Sequence, residues 1–160
     1  MGDVAAMAGV SKALVHYHFR DKDSLLNALV EDVGALVVGR EQSAIAREAT
    51  RHPLDAYWTW LQHELRAGDL RILLSLAEYD SVRVRTASRR IAAQRQELAA
   101  AHIAQVFSRL ELDPRVPASI LAQTIVAFID GLAAASALDS ETDPRPAFDA
   151  LWLALLTLAE

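Results

Sequence analysis

The sequence predicts an all-α protein, and three observations support this prediction. The 160 residues are 52% apolar and 23% charged, which is typical of a globular chain that buries a core. Apolar residues recur three and four positions apart, as on one face of a helix, rather than in the alternation of a strand. Only 6 Gly and 5 Pro interrupt the chain, so we expect long helices packed as a bundle.

The composition also excludes several classes of protein. The chain has no Cys, which excludes a disulfide scaffold, a thiolate zinc site and a cysteine nucleophile. No uncharged apolar run approaches the ~18 residues of a membrane span, and no secretory signal is visible. We therefore expect a cytoplasmic protein that does not contact a membrane. The net charge of −5 argues only weakly against DNA as a partner, because binding depends on Lys and Arg at the contact surface.

Residues 3–26 carry the most informative motif of the chain. Helical spacing over 3–8 ends at Gly9, a second short helix follows over 11–19, and Asp21 is placed to cap a third. Gly9 is expected to adopt a positive φ in the turn. Two short helices joined by a tight Gly-containing turn are typical of a helix-turn-helix, whose second helix enters the DNA major groove. For this pattern alone, an ordinary helical hairpin is the alternative.

The segment AGVSKALVHYHFRDKDSLL, residues 8–26, resembles the DNA-binding core of tetracycline-repressor-type (TetR/AcrR) transcriptional regulators. The resemblance implies an incomplete helix-turn-helix headpiece over 1–39, which includes the start of a connecting helix. It implies an antiparallel helical bundle over 40–160 for effector binding and dimerisation. In this family a longer helix precedes the segment, so we expect such a helix upstream of Met1.

The resemblance also implies a set of DNA contacts. Lys12, near the start of the recognition helix, can pair with guanine O6 and N7. His16 stands where the family most often has a tyrosine that contacts the DNA backbone, which is a departure from the pattern. His18 and Lys22 match positions that commonly contact phosphate. The full set of expected DNA-binding residues is Ser11, Lys12, Ala13, His16, Tyr17, His18 and Lys22.

The remainder of the chain predicts further helices. A long connecting helix continues from Asp21 to about residue 45, and His52–Pro53 marks a break, because the residue before proline is pushed out of the helical region. Helices are then expected from residue 54, over 70–79, over 81–110, over 118–138 and from residue 143 onward. The arginine-rich start of the helix over 81–110 is interpreted as a solvated face.

An effector pocket is implied within the bundle by the resemblance. Aromatic and apolar residues on inward faces are candidates for its wall, with three polar residues as possible contacts, although each residue taken alone is better explained as plain core. Such a wall suits a hydrophobic or aromatic small molecule, and the excess of arginine leaves an acidic ligand open. The candidates are Tyr57, Trp58, Leu61, Tyr79, Gln94, His102, Phe107, Gln123 and Phe128.

The last two predicted helices are apolar on more than one side, so each must be buried on more than one side. They therefore predict the four-helix interface of a homodimer. Asp130 lies within this apolar sequence, and an unpaired carboxylate there would be costly, so we expect it to have a partner. The expected interface residues are Ile125, Ile129, Leu132, Phe148, Trp152 and Leu155.

The implied function is a regulator, in most members of the family a repressor, that binds a palindromic operator and is released by a small molecule. The alternative is a helical module that binds small molecules or proteins and has lost DNA binding. No nucleophile–base pair or phosphate loop indicates an enzyme, and no cofactor is expected. A zinc site is disfavoured because His16 and His18, two apart on a helix, point in different directions.

Overall fold

The computed structural model describes residues 1–47, 53–139 and 141–159. The all-α prediction is confirmed, because these residues form eight helices and no strand. The helices are α1 (Gly2–Met7), α2 (Lys12–His18), α3 (Lys22–Arg47), α4 (Pro53–Ala67), α5 (Asp69–Ala77), α6 (Val82–Arg109), α7 (Ala118–Leu138) and α8 (Arg145–Leu156). The predicted break at His52 lies outside the described residues, and α4 begins at the following proline, a residue that suits a first helical turn.

The turns around α2 form as their sequence predicts. Gly9 has φ of 66°, a conformation that side chains with a Cβ rarely adopt. Ser11 caps α2, since its Oγ accepts a hydrogen bond from the Leu14 amide at 3.1 Å. Asp21 precedes α3, and its Oδ1 accepts from the Ser24 amide at 2.7 Å and from the Ser24 hydroxyl at 2.6 Å. Both bonds lower the pKa of the Asp21 carboxyl, and the bond from the Ser24 hydroxyl has the larger effect.

Helix α3 joins the amino-terminal helices to the body without a break. The domain boundary expected after residue 39 falls inside this helix, so both parts share one rigid element. Its buried stripe consists of Val30, Val33 and Val37 and continues to Glu41. The stripe packs on α6, α4 and α5, with the most extensive contact against α6.

Helices α3 and α6 lie close together at Gly34. A Cβ at this position would lie 2.5 Å from Cδ1 and 2.6 Å from Cγ1 of Ile91. We expect Gly34→Ala to lower the free energy of unfolding by about 1–3 kcal/mol, because the added methyl overpacks a filled contact. Chemical denaturation followed by circular dichroism measures this loss.

Gly39→Ala is the matched control for this prediction. Gly39 lies on the same helix, but a Cβ there would have no atom within 4 Å. Since alanine favours a helix by about 1 kcal/mol over glycine, this variant should be as stable as the parent or more stable. Equal stabilities of the two alanine variants would contradict the close packing of α3 on α6.

Helix α7 has two distinct faces. Its inner face is buried against α4, α5 and α6. By length and composition α7 could also cross a membrane, with 33% of its most apolar window buried. That is weak support for a membrane span, since the core helix of a bundle passes the same test. Its single charged residue, Asp130, is ion-paired with Arg95 of α6.

The side chains expected at a dimer interface occupy the core of the single chain. Those of Ile125, Ile129, Phe148, Trp152 and Leu155 are 2–3% exposed, and Leu132 is partly buried. They pack on the other helices of the same chain, so their surface is not available to a partner. An interface on α7 and α8 must therefore use the outer faces of these helices, and the residue assignment is corrected accordingly.

Candidate DNA-binding headpiece and effector site

The recognition helix α2 presents a row of side chains to solvent. Val15 is its buried anchor, 7% exposed, and packs toward the interior of the headpiece. Lys12, Ala13, His16 and Tyr17 are all exposed, so each is free to approach a ligand outside the protein. Helix α2 thus combines an inner anchor with an outer face of polar and small side chains, the arrangement that a DNA-reading helix requires.

The apolar residues around this helix are less covered than their spacing predicts. Leu14 is expected in the core together with Val15 and Phe19, but its side chain is 44% exposed. Val4 on α1 is 42% exposed, because α1 packs mainly on α2 within the described part of the chain. Two short helices have too little surface to cover all of one another's apolar side chains.

The first turns of α3, which follow the helix-turn-helix, contact the body near the start of α6. The Nζ of Lys22 lies 5.0 Å from the centre of the Tyr79 ring, within the range of a cation–π contact. Arg83 donates to the Ser24 hydroxyl at 2.9 Å, and Arg90 is ion-paired with Glu31 of α3. These contacts link the start of α3 to the start of α6 and to the turn that precedes it.

An aromatic cluster forms the interior of the body. The Tyr57 ring is at its centre, 4.9 Å from the Trp60 ring and 4.5 Å from the His102 ring. Trp152 packs edge-on against Tyr57 at 6.3 Å and against His102 at 6.0 Å, while Phe148 lies 6.2 Å from Trp152. The cluster joins α4, α6 and α8, which explains how α8 is held on the bundle.

The structure brings together only some of the predicted effector residues. Tyr57, Trp58, Leu61, His102 and Phe107 are buried in the core. The remaining four lie apart from the aromatic cluster or at the surface: Tyr79 is beside Lys22, Phe128 is partly buried, and Gln94 and Gln123 are exposed. Trp60 is not among the predicted residues, because it lies off the apolar stripe of α4. It nevertheless packs in the aromatic cluster against Tyr57.

A group of buried charges, which the sequence pattern does not indicate, adjoins this cluster. The Glu64 side chain is fully buried and accepts two bonds from the Arg40 guanidinium, at 2.6 and 2.8 Å. Arg40 also donates to Asp69 at 2.6 Å. The hydrogen bond from Arg40 to Glu64 is the main cause of a raised pKa for Arg40. One arginine thereby joins α3, α4 and α5.

Asp130 has the partner that its position in an apolar helix requires. Nη1 of Arg95 lies 2.8 Å from its Oδ1, with Arg95 5% exposed and the Asp130 side chain 25% exposed. The expectation that Asp130 has a partner is confirmed, and that partner is an arginine. Arg95 is also an exception to the interpretation of the α6 arginines as a solvated face, since it lies on the inner face of the helix, four residues after Ile91.

Glu41 is the least compensated of the buried charges. It is 1% exposed, and its Oε1 accepts a hydrogen bond from the Tyr57 hydroxyl at 2.9 Å. Its Oε2 is buried without a hydrogen-bond partner in the described part of the chain. Burial raises the pKa of the Glu41 carboxyl to about 7, against the opposing effects of Arg95 and Tyr57. Its position four residues after Val37, in the buried stripe of α3, is the sequence signal that could have identified it.

Two surface grooves adjoin the body. One, of about 580 Å³, runs between α3 and α4 and is lined by small residues such as Gly39 and Ala56 together with Arg40 and Trp60. The other, of about 600 Å³, lies between α4 and α7 and is more polar, with Arg66 among its lining residues. Both are large enough for a small organic molecule. In the described ranges no three His, Asp or Glu side chains are grouped so as to hold a metal ion.

Comparison with known proteins gives three findings. Residues 1–29 match the family of bacterial regulatory proteins called the tetR family. Among curated protein sequences, none is significantly similar to this chain. Two solved structures, both from Rhodococcus, share the fold.

The first of these structures is a protein of unknown function from Rhodococcus sp. RHA1, 23% identical, with a TM-score of 0.67, and the match covers 96% of this chain and 83% of that one. The second is a protein from Rhodococcus sp. assigned to the TetR family of transcriptional regulators. It is 24% identical, with a TM-score of 0.70, and the match covers 98% of this chain and 85% of that one. At these identities the two structures show the fold.

Two short helices joined by a tight turn, the second with an exposed outer face, form the arrangement that DNA-binding regulators with a helix-turn-helix use. Residues 1–29 match the tetR family, and the chain shares the fold of the two Rhodococcus structures, one of which is assigned to that family.

Proposed function

We propose that this protein is a ligand-responsive repressor that acts as a homodimer on a palindromic operator in the cytoplasm. In this proposal a small molecule binds in the body and releases the protein from DNA, and no catalysis is involved. The observation that supports it most is the pairing of an exposed recognition helix with a body whose interior holds buried charges. A purely structural bundle gains little from such charges, because apolar residues of equal volume are often as stabilising.

The proposed coupling is a linkage between two conformations. Helix α3 runs from the headpiece into the body, where it carries Arg40 and Glu41. An effector that binds more tightly to one arrangement of α3 against α6 shifts the population toward that arrangement. In a dimer this changes the separation of the two recognition helices, which must be close to about 34 Å to enter successive major grooves.

The outer face of α7 is the proposed dimer surface. Six exposed positions recur there at steps of three and four, the spacing of a coiled-coil seam, and several are small enough for close approach of a second helix. The positions are Ile120, Thr124, Ala127, Gly131, Ala134 and Leu138. Leu153 of α8 is a second exposed apolar side chain near the end of the chain, 67% exposed. A chain that sediments as a monomer at micromolar concentration would contradict the proposal.

Selection from a pool of random DNA duplexes tests the proposed function. We expect the protein to enrich an inverted repeat whose half-sites are about one helical turn apart, or a multiple of it. The promoter regions beside its own gene should then contain this repeat. Absence of any enriched sequence at low salt would contradict sequence-specific binding.

Lys12→Ala and Lys22→Ala are expected to affect DNA binding differently. Lys12 is proposed to contact a base edge, so its loss should relax the sequence preference at one base pair and cost about 1–3 kcal/mol of binding free energy on the selected site. Lys22 is proposed to contact phosphate, so its loss should weaken binding to all sequences similarly and lower the slope of log affinity against log salt by about one. Titrations of both variants against the selected and a scrambled duplex measure this difference. If neither change alters binding, the assigned contact surface is wrong.

A further inference from the structure

The charges inside the body do not balance, and the excess is negative. Glu64 and Asp69 share Arg40, and Asp130 is paired with Arg95. Glu41 is the fourth carboxyl facing this region and has no arginine of its own among the described residues, although Arg95 is near enough to favour its ionised form. Two arginines therefore serve four carboxyl groups from α3, α4, α5 and α7.

The surroundings of Glu41 are aromatic as well as polar. Tyr57, which donates to Glu41, is in ring contact with Trp60, His102 and Trp152. The faces of tyrosine and indole rings attract a positive charge. The Nε1 groups of Trp60 and Trp152 are buried donors without a hydrogen-bond partner among the described residues. A carboxyl oxygen without a donor, next to several aromatic rings, suits a ligand that carries a cation on an aromatic or apolar frame.

The groove between α3 and α4 reaches the edge of this aromatic cluster. Trp60 lines the groove, and its ring packs on Tyr57, whose hydroxyl holds Glu41. Glu41 itself is 1% exposed and does not line the groove, so binding at its carboxyl requires the Trp60 side chain to move aside. The groove itself is bordered by small side chains, which leave room for the apolar part of a ligand.

We propose that Glu41, with the rings of Tyr57 and Trp60, binds the positive charge of an aromatic amine, and that such an amine is the effector. This inference rests on the proposed function, because it names the class of effector for that regulator. In the absence of a cation, burial favours the neutral form of the carboxyl below about pH 7. A bound ammonium group stabilises the ionised form, so one proton leaves the protein when the ligand binds at a pH below about 7.

Three probes that differ in charge on one naphthalene frame test the inference. They are 2-naphthylmethylammonium, the neutral 2-naphthalenemethanol and the anionic 2-naphthoate. Isothermal titration should show the ammonium binding at least about ten times more tightly than the other two. Its affinity should fall about tenfold for each pH unit below about 7, and titrations in two buffers of different ionisation enthalpy should report the released proton.

Glu41→Gln should abolish both the preference for the ammonium and its pH dependence, with the helical circular dichroism unchanged. Glu97→Gln, at an exposed glutamate on α6, is the matched control and should retain both. Equal affinity for the three probes, retention of the preference by the Glu41→Gln variant, or binding of none of them would overturn the inference. Release of the protein from the selected palindrome by the alcohol or the naphthoate would also overturn the inference about the amine. The proposed function as a ligand-responsive regulator would still hold in that case. Failure to select any palindrome contradicts the regulator independently of these titrations.

Discussion

Replacing Arg95 with alanine should lower the free energy of unfolding by about 3–5 kcal/mol, the usual cost of removing one partner of a buried ion pair. The change leaves Asp130 without its partner and removes the cation that favours the ionised form of Glu41. The loss should lie toward the lower end of this range, because the Asp130 side chain is 25% exposed and can recover some hydration. Urea denaturation followed by circular dichroism gives the free energy directly.

Arg89→Ala is the matched control for this change. Arg89 is exposed on the same helix, and exposed substitutions usually alter stability by no more than about 0.5 kcal/mol. Asp130→Asn introduced together with Arg95→Ala should recover part of the loss, because the unpaired carboxylate is then removed. If Arg95→Ala is no more destabilising than Arg89→Ala, the buried charge group does not contribute as described.

Replacing Glu41 with glutamine should make the protein more stable above about pH 7 and leave it nearly unchanged in acid. The carboxyl has a pKa of about 7 in the fold and an ordinary value of 4.5 in the unfolded chain. Between these values the folded state holds a proton that the unfolded state has lost, so stability falls as the pH rises through this window. Above about pH 7 this effect lowers the free energy of unfolding of the parent by about 3 kcal/mol. Glutamine can still accept the hydrogen bond from Tyr57 but does not ionise, so the variant does not lose this stability.

The predicted direction of the pH dependence can be tested with the Glu41→Gln variant. The test compares the unfolding free energies of the parent and the variant across this range of pH. The difference should be small near pH 4.5 and grow to its full size near pH 7. Using the difference cancels the contribution of the other titrating groups, which both proteins share. A difference that is constant with pH would show that Glu41 is not held in its neutral form.

Much of the fold is predictable because helix boundaries depend on local signals. The limits of α7 and the turn at Gly9 follow from residues within a few positions, such as Pro117 before α7 and Ser11 after the turn. Spacing also predicts that Asp130 needs a partner. Even so, spacing cannot identify Arg95, because several arginines lie near the start of α6 and only packing determines which of them turns inward.

The site is less predictable for a related reason. Helical spacing shows which residues are buried but not whether they face another helix of the same chain or a second copy. Ile125 and Trp152 are therefore assigned to a dimer interface from sequence, although both lie in the core of one chain. Glu41 is missed because a single charged residue in an apolar stripe resembles the polar edge of a helix. Its spacing from Val37 is a signal of burial, and the hydrogen bond from Tyr57 distinguishes it from such a polar edge.

Competition between the selected palindrome and a scrambled duplex of the same composition tests the central claim most directly. Fluorescence anisotropy at physiological salt should show a preference for the palindrome of about 10³-fold or more, with two protomers on each palindrome. Equal affinity for the two duplexes at every salt concentration would contradict the account of this protein as a sequence-specific regulator.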